Sequence, residues 1–480
     1  MFITRKLGRR KRAVGFRENA LMLASCCALL LCASTTMAQD PAEPPNGAPK
    51  VEAIPRPSGV IPRSAIDEKL MRAIIDEQVA CGTRDSFSSW TDLKRGVGCG
   101  RDRALAQFQK IAKDSGGRLQ IVVDKFDTEL PRTGEKLHLE NVYAILPGSD
   151  PSLAKTVFIT SGDFDSRPSQ TNDPNADAPG ADDDASGTAV AIECARLLSK
   201  GTYRATLVFA ALSGEEEGLL GAQGMFRYLK ANGYTVGGYL DNDIVGADPA
   251  PGGPHRARVF SGGGPDGVDS PSRELARATE EIDGVNNIRM IFRIDRLGRG
   301  GDHEPFVHAG LPAVRFTEPQ ENYDHQHQTP RTENGREYGD FAKYLDFTFM
   351  GNVARDNAEV LRELALAPAP PENVTVWHVP QTAMGYAQIK WQAEPGTEND
   401  SERAGFEILW RETTTPRWSV YEFVPAGAAM DVTLDGVSPD NHFFAIRSVG
   451  KNGARSLAVP AVMPMRRPPA ARPQNPTGTH

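Results

Sequence analysis

The chain reads as an α/β protein, with a mostly parallel mixed sheet carrying helices on both faces, followed by a small all-β sandwich. Three observations predict this. Between residues 119 and 364, short β-branched apolar runs alternate with segments of helical period, as in strands joined by crossover helices. At Ala367-Pro368-Ala369-Pro370-Pro371 the composition breaks into a stiff spacer. Beyond it every apolar run is short and no helical period appears. For 480 residues, two domains plus tails is the expected layout, and 39% hydrophobic with 24% charged residues is ordinary globular composition.

Taken in order, residues 1–38 stand apart. Seven basic side chains at positions 5–17 precede an apolar stretch at 20–33, and Thr36-Met37-Ala38 puts small residues where a signal peptidase reads. This predicts a secretory signal peptide whose apolar run is too short to span a bilayer, and no later segment reaches membrane length. The 1–38 segment carries a net +6 of the chain's total −8, so the remainder carries −14. Such a surface has no general affinity for nucleic acid or anionic lipid. Cys26, Cys27 and Cys32 leave with the signal. In an exported chain, the glycine-flanked Cys81 and Cys99 are expected to form a disulfide, and Cys194, inside an apolar helix pattern, reads as an inert core thiol.

Residues 39–60, rich in Pro and Ala, read as a disordered spacer. The α/β domain is expected over 61–365. Ser64 is a candidate cap for a helix reaching 80, and a second helix falls at 102–113. Strands follow at 119–123, 142–146 and 156–160, a helix at 188–198, a buried strand at 205–212 and a helix at 219–231. Further strands lie at 239–241, 288–294 and 313–316, before an amphipathic helix at 341–364. A linker at 366–371 leads to the sandwich at 372–465 and a disordered tail at 466–480. Trp391 and the strands at 406–411 and 444–449 resemble a fibronectin type III module.

The chemistry lies in two acidic runs, Gly180-Ala181-Asp182-Asp183-Asp184-Ala185-Ser186-Gly187 and Ser213-Gly214-Glu215-Glu216-Glu217-Gly218-Leu219. Carboxylates this crowded repel one another unless a cation neutralises them. The candidates fall just past predicted strands: Asp163 after 157–160, Glu215 and Glu216 after 205–212, Asp243 after 239–241. His325 follows 313–316 across a loop. In open α/β sheets that edge is the ligand crevice. Carboxylates plus histidine are the donor set of a hydrolytic divalent-metal site. No Gly-x-Ser-x-Gly elbow or phosphate-binding loop is found, so serine-hydrolase and nucleotide chemistry lack their parts.

Over residues 119–364 these motifs resemble the clan MH zinc aminopeptidases, metallopeptidase family twenty-eight. The resemblance implies a zinc exopeptidase-like fold holding one or two Zn2+ ions. It makes Asp183 the carboxylate that bridges two metals, Glu215 the general base, Glu216 a ligand of the first metal and Asp243 a ligand of the second. The final histidine falls in Tyr323-Asp324-His325-Gln326-His327, where His325 is favoured and His327 is the reserve. Thr329 stands where the family has an Asp. Asp302 and His303 resemble a segment that supports the pocket wall. One departure is larger: in Gly162-Asp163-Phe164-Asp165-Ser166, Asp163 takes the place of a histidine ligand of the second metal, which Asp165 would have oriented. Either Asp163 ligates as an oxygen donor and favours a harder ion, or the second metal is weakly held or absent; Asp163→His is expected to raise the zinc affinity of that site. A single ion held by Asp183, Glu216 and His325 is chemically sufficient, as in the related glutaminyl cyclases.

The function so implied is an exported exopeptidase, foremost an aminopeptidase, acting on peptide or protein substrates. A glutaminyl-cyclase-like acyltransferase and a non-catalytic binding protein of the same fold are the alternatives. Truncation after Leu366 is expected to spare hydrolysis of small substrates.

Overall fold

The computed structural model describes residues 54–57, 60–247, 255–263, 269–284, 287–295, 300–379, 386–435 and 437–464. The expected signal peptide, most of the expected spacer and the expected tail lie outside the described residues. The described residues belong to one compact unit.

The first long helix, α1 (Glu68–Val79), is capped by Asp67, whose carboxylate accepts the Leu70 N–H at 3.0 Å. Ser64 lies instead in a short 3-10 turn, Arg63–Ala65. Helix α2 (Val97–Asp114) begins before the expected position, and its early glycines explain why. A Cβ on Gly98 would lie 2.2 Å from the Trp90 carbonyl oxygen, so only glycine lets this turn approach the preceding loop.

Eight strands form one sheet: β1 (Gln120–Glu129), β2 (Lys136–Leu146), β3 (Thr156–Asp163), β4 (Thr206–Leu212), β5 (Thr235–Asn242), β6 (Ala257–Phe260), β7 (Ile288–Ile291) and β8 (Ala313–Thr317). Their order is β1-β2-β4-β3-β5-β8-β6-β7. The four central strands β4-β3-β5-β8 run parallel. β1 and β2 pair antiparallel at one side, and β6 joins β8 antiparallel at the other. The helices are α3 (Ala185–Leu198) between β3 and β4, α4 (Leu220–Ala231) after β4, α5 (Pro271–Asp283), α6 (Glu304–His308) and α7 (Phe347–Leu366).

Strand β4 shows how the two faces are built. Its seven residues, Thr-Leu-Val-Phe-Ala-Ala-Leu, are all buried. Leu207, Phe209 and Ala211 enter one core with Phe108, Ile192 and Val353, while Val208, Ala210 and Leu212 enter the other with Met225 and Phe306. Side chains alternate across a strand, so a strand covered on both faces reads as an unbroken apolar run.

A small hairpin, β9 (Arg331–Glu333) and β10 (Arg336–Tyr338), precedes α7. The C-terminal sandwich has one three-stranded and one four-stranded sheet. The first contains β11 (Pro371–Val379), β12 (Tyr386–Ala393) and β15 (Asp431–Asp435), in that order. The second is ordered β14 (Ser419–Pro425), β13 (Arg403–Glu412), β16 (His442–Gly450) and β17 (Val459–Pro460). Trp391, Phe406, Ile408, Phe444 and Ile446 fill its core.

The linker expected at 366–371 is shorter and not free. Leu366 ends α7, Pro371 begins β11, and Ala367 and Ala369 between them are buried. The sandwich docks on the α/β body through polar groups of α5 and its flank. Arg411 pairs with Asp269 at 2.6 Å, Arg417 with Glu280 at 2.6 Å and Arg447 with Glu281 at 2.6 Å. The Trp418 indole donates to the buried Glu274 at 2.7 Å, and Arg204 of the body reaches Asp400 at 2.9 Å. These contacts explain why α5 was missed in the sequence: its buried side includes Glu274, Arg277 and Glu280, charges held by partners far along the chain. They also revise the truncation expectation. Removing the sandwich breaks these ion pairs and hydrogen bonds and opens the buried side of α5 to water. The chain cut after Leu366 is expected to keep its site but unfold several degrees lower by scanning calorimetry. An unchanged Tm would show the docking contributes nothing.

Candidate metal centre

The acidic runs meet at the carboxyl ends of the parallel strands, where the order reverses between β4, β3 and β5. Asp163 ends β3, Glu215 and Glu216 follow β4, and Asp243 follows β5. The connection from β3 to α3 carries the aspartate triplet, whose three members do different work. Asp184 caps α3 by accepting the Gly187 N–H at 2.9 Å and also accepts the N–H groups of Asp163 and Ile244, tying the ends of β3 and β5 together. Asp182 accepts the Gly246 N–H at 2.8 Å. Asp183 is left to face the cleft, its backbone N–H donating to Asp340 at 2.8 Å. The Asp183–Asp184 peptide is cis.

Three donor atoms then come together. The His327 Nε2 lies 2.9 Å from Asp183 Oδ2 and 3.0 Å from Glu216 Oε1. Among the described residues, Asp183, Glu216 and His327 are the one group of three or more such side chains whose ligand atoms lie within 4.8 Å of one another. Two carboxylate oxygens and an imidazole nitrogen beside an open cleft are a donor set that suits catalytic zinc. Burial works against a charged His327, but Glu216 and Asp183 outweigh it and push its pKa up to about 10.

His325, the favoured histidine of the sequence reading, is elsewhere. Its ring stacks on Tyr344 with centroids 3.7 Å apart, and it lines a neighbouring cavity of about 350 Å³. The reserve candidate, His327, is the one the structure brings to Asp183 and Glu216. Two histidines two residues apart cannot be told apart by spacing; the local backbone decides. His327 sits at φ 56°, a left-handed turn that few non-glycine residues adopt. Thr329 helps hold that turn, its N–H donating to Ser169 Oγ at 2.9 Å while its own Oγ1 accepts the Ser169 N–H at 3.2 Å.

Glu215 stands next to Glu216 on the rim of a cleft of about 470 Å³, lined also by Arg167, Asp183, Asp243 and His327. Burial, then Asp243, Glu216, Asp302 and Asp183, raise its pKa well above the usual carboxylate range. Asp165, expected to orient a ring, instead accepts the backbone N–H groups of Glu215 at 3.2 Å and Glu216 at 3.4 Å and the Ser86 hydroxyl at 2.9 Å. It sets the loop that presents both glutamates, and burial followed by Glu216 raises its pKa to about 7. Asp302 and His303 are buried behind the cleft. The His303 N–H donates to Asp241 at 3.0 Å, while neither carboxyl oxygen of Asp302 has a hydrogen-bond partner among the described residues.

Sequence reasoning missed three supporting residues. Asp340 orients the triplet from across the fold. Arg315 of β8 is fully buried and grips Asp243. Arg84 is fully buried and donates to the carbonyl oxygens of Phe164, Pro179 and Gly180 at 2.6, 2.6 and 2.7 Å, pinning the loop between Asp163 and Asp183. Arg84 and Ser86 both lie in the segment closed by the Cys81–Cys99 disulfide, whose Cα atoms are 5.9 Å apart. The cysteine pair was legible; that it frames the site floor was not, because Arg84 gave no motif signal. Cys194 is a buried free thiol in α3.

The sequence signature described as "Peptidase family M28" matches residues 141–346. A "probable zinc metalloprotease" of Leptosphaeria maculans is 39% identical over 81% of this chain and 93% of its own length. One from Pyrenophora teres f. teres is 36% identical over 92% of this chain and 97% of its own. Among solved structures, the LapA aminopeptidase of Legionella pneumophila is similar at 18% identity and a TM-score of 0.48, over 63% of this chain and 73% of its own.

Proposed function

Because the chain belongs to peptidase family M28, we propose that this zinc-dependent metallopeptidase is an exported aminopeptidase whose ion is held by Asp183, Glu216 and His327. The observation that carries the reading is the meeting of those three donors with Glu215 beside them at the sheet's ligand edge. A zinc ion held there supplies Lewis acidity, which polarises a carbonyl oxygen and brings the pKa of water down to about 7. Glu215 accepts the proton of the attacking water as the new C–O bond forms. It then returns that proton to the departing amine as the C–N bond breaks. Burial and the neighbouring carboxylates favour the protonated form of Glu215, the form that hands the proton on to the amine. Asp165 keeps Glu215 and Glu216 in register by holding both of their N–H groups.

Export is supported by the basic-then-apolar pattern of residues 1–38 and by the Cys81–Cys99 disulfide, a bond that persists in oxidising compartments. We read the three-plus-four-stranded sandwich as a fibronectin type III-like module.

The test is a panel of aminoacyl chromogenic substrates together with peptides beginning in Gln. Release of free amino acids that stops on chelation supports the aminopeptidase. Pyroglutamate without amino-acid release identifies the cyclase-like alternative, and no product from either identifies a binding protein. Mass spectrometry of the exported protein, alkylated without reductant, checks cleavage after Ala38 and the disulfide together.

A further inference from the structure

The family resemblance makes Asp243, the bridging Asp183 and the position of Asp163 the ligands of a second metal, and a side chain of this protein already brings a cation to Asp243. Arg315 Nε donates to Asp243 Oδ2 at 2.9 Å, and its Nη2 donates to the Asp243 carbonyl oxygen at 3.2 Å. Its Nη1 donates to Asp295 Oδ2 at 2.8 Å. The side chain is fully buried in the middle of β8, so this charge is a fixed part of the interior. A guanidinium keeps its charge throughout the physiological pH range, so the cation is permanent.

The surroundings are shaped for it. A Cβ on Gly301 would lie 2.9 Å from Arg315 Cδ and from Asp241 Oδ2, and 3.0 Å from Asp243 Oδ2. Glycine at 301 leaves the room in which a guanidinium stem passes between two carboxylates. Asp163 is a carboxylate where the resemblance has a neutral imidazole, and among the described residues Asp163 and Asp243 do not gather a third donor within ligand distance as Asp183 and Glu216 do.

We propose that Arg315 is the resident cation of the second site: it compensates Asp243 in place of a metal, so the protein works with one tightly held zinc. A divalent ion bound beside it would face the guanidinium's positive charge at short range and would have to displace a buried, doubly paired arginine. This changes the expectation drawn from the sequence. Restoring the histidine at 163 supplies a ligand without vacating the cation, so Asp163→His alone does not create a tight second site. Arg315 is here a positioning residue, holding the charge and orientation of Asp243. The inference rests on the zinc-peptidase reading.

The experiment counts zinc per chain by mass spectrometry of the metal after dialysis against a weak chelator. Circular dichroism checks the fold of every variant. Wild type and Asp163→His are each expected to hold one ion. Asp163→His combined with Arg315→Met and Asp295→Asn, which removes the guanidinium and one carboxylate it leaves behind, is expected to hold two. Two tight ions in the wild type or in Asp163→His alone overturn the role of Arg315 while leaving the peptidase reading intact. A triple variant that folds and still holds one ion also overturns it. A wild type that holds none overturns the zinc-centre reading, and this inference with it.

Discussion

Glu215→Gln is expected to lower kcat by at least the 10²-fold typical of losing an acid-base group, with zinc content unchanged. The substitution keeps the side chain's size and removes only its ability to take and return a proton. The three donors that gather as a metal group are Asp183, Glu216 and His327, not Glu215. The loop itself is held through the backbone N–H groups of Glu215 and Glu216 by Asp165, and Gln leaves those bonds in place. The split matters more than the loss. Activity above a tenth of wild type rejects Glu215 as the proton carrier, and a parallel loss of zinc would move it into the ligand set. Turnover of an aminoacyl chromogenic substrate and metal analysis on the same preparation give both numbers.

His327→Ala is expected to weaken zinc binding by more than the 10–100-fold seen when only a ligand's supporting partner is removed, and activity falls with it. The imidazole is the single nitrogen among the three donors and touches both carboxylates, at 2.9 and 3.0 Å. Without it, Asp183 and Glu216 are left as two like charges sharing one site. His325→Ala is the matched control: it removes a ring stacked on Tyr344 and is expected to leave zinc content unchanged. The reverse result, zinc lost with His325 and kept without His327, would restore the order of preference drawn from the sequence.

The two histidines mark where sequence reading stops. Strands such as β4 were legible because seven consecutive apolar residues buried on both faces leave a one-dimensional trace. Helix α3 was legible for the same reason, with a run of small and apolar residues behind its Asp cap. Helix α5 and strand β6 left no such trace. The first buries charges against the sandwich, and the second is four residues long with an arginine inside it. Strand β15 was missed because Asp431 and Thr433 interrupt its apolar residues, and its register is set by pairing with β12.

At the site, the residue types and the sheet edge that gathers them followed from the sequence alone. Motifs just past strands of one parallel sheet must converge, whatever the intervening loops do. The sequence also determined the glutamate pair and the altered position 163, because these are matters of residue identity. Which histidine faces the carboxylates, what Asp165 holds and what neutralises Asp243 were decided only by the tertiary structure. A left-handed turn at His327 carries its ring inward, whereas the ring of His325 stacks on Tyr344. Arg315 reaches Asp243 from a strand 72 residues further along the chain. Spacing carries no information about such contacts, since direction and long-range charge pairing exist only once the chain has closed on itself.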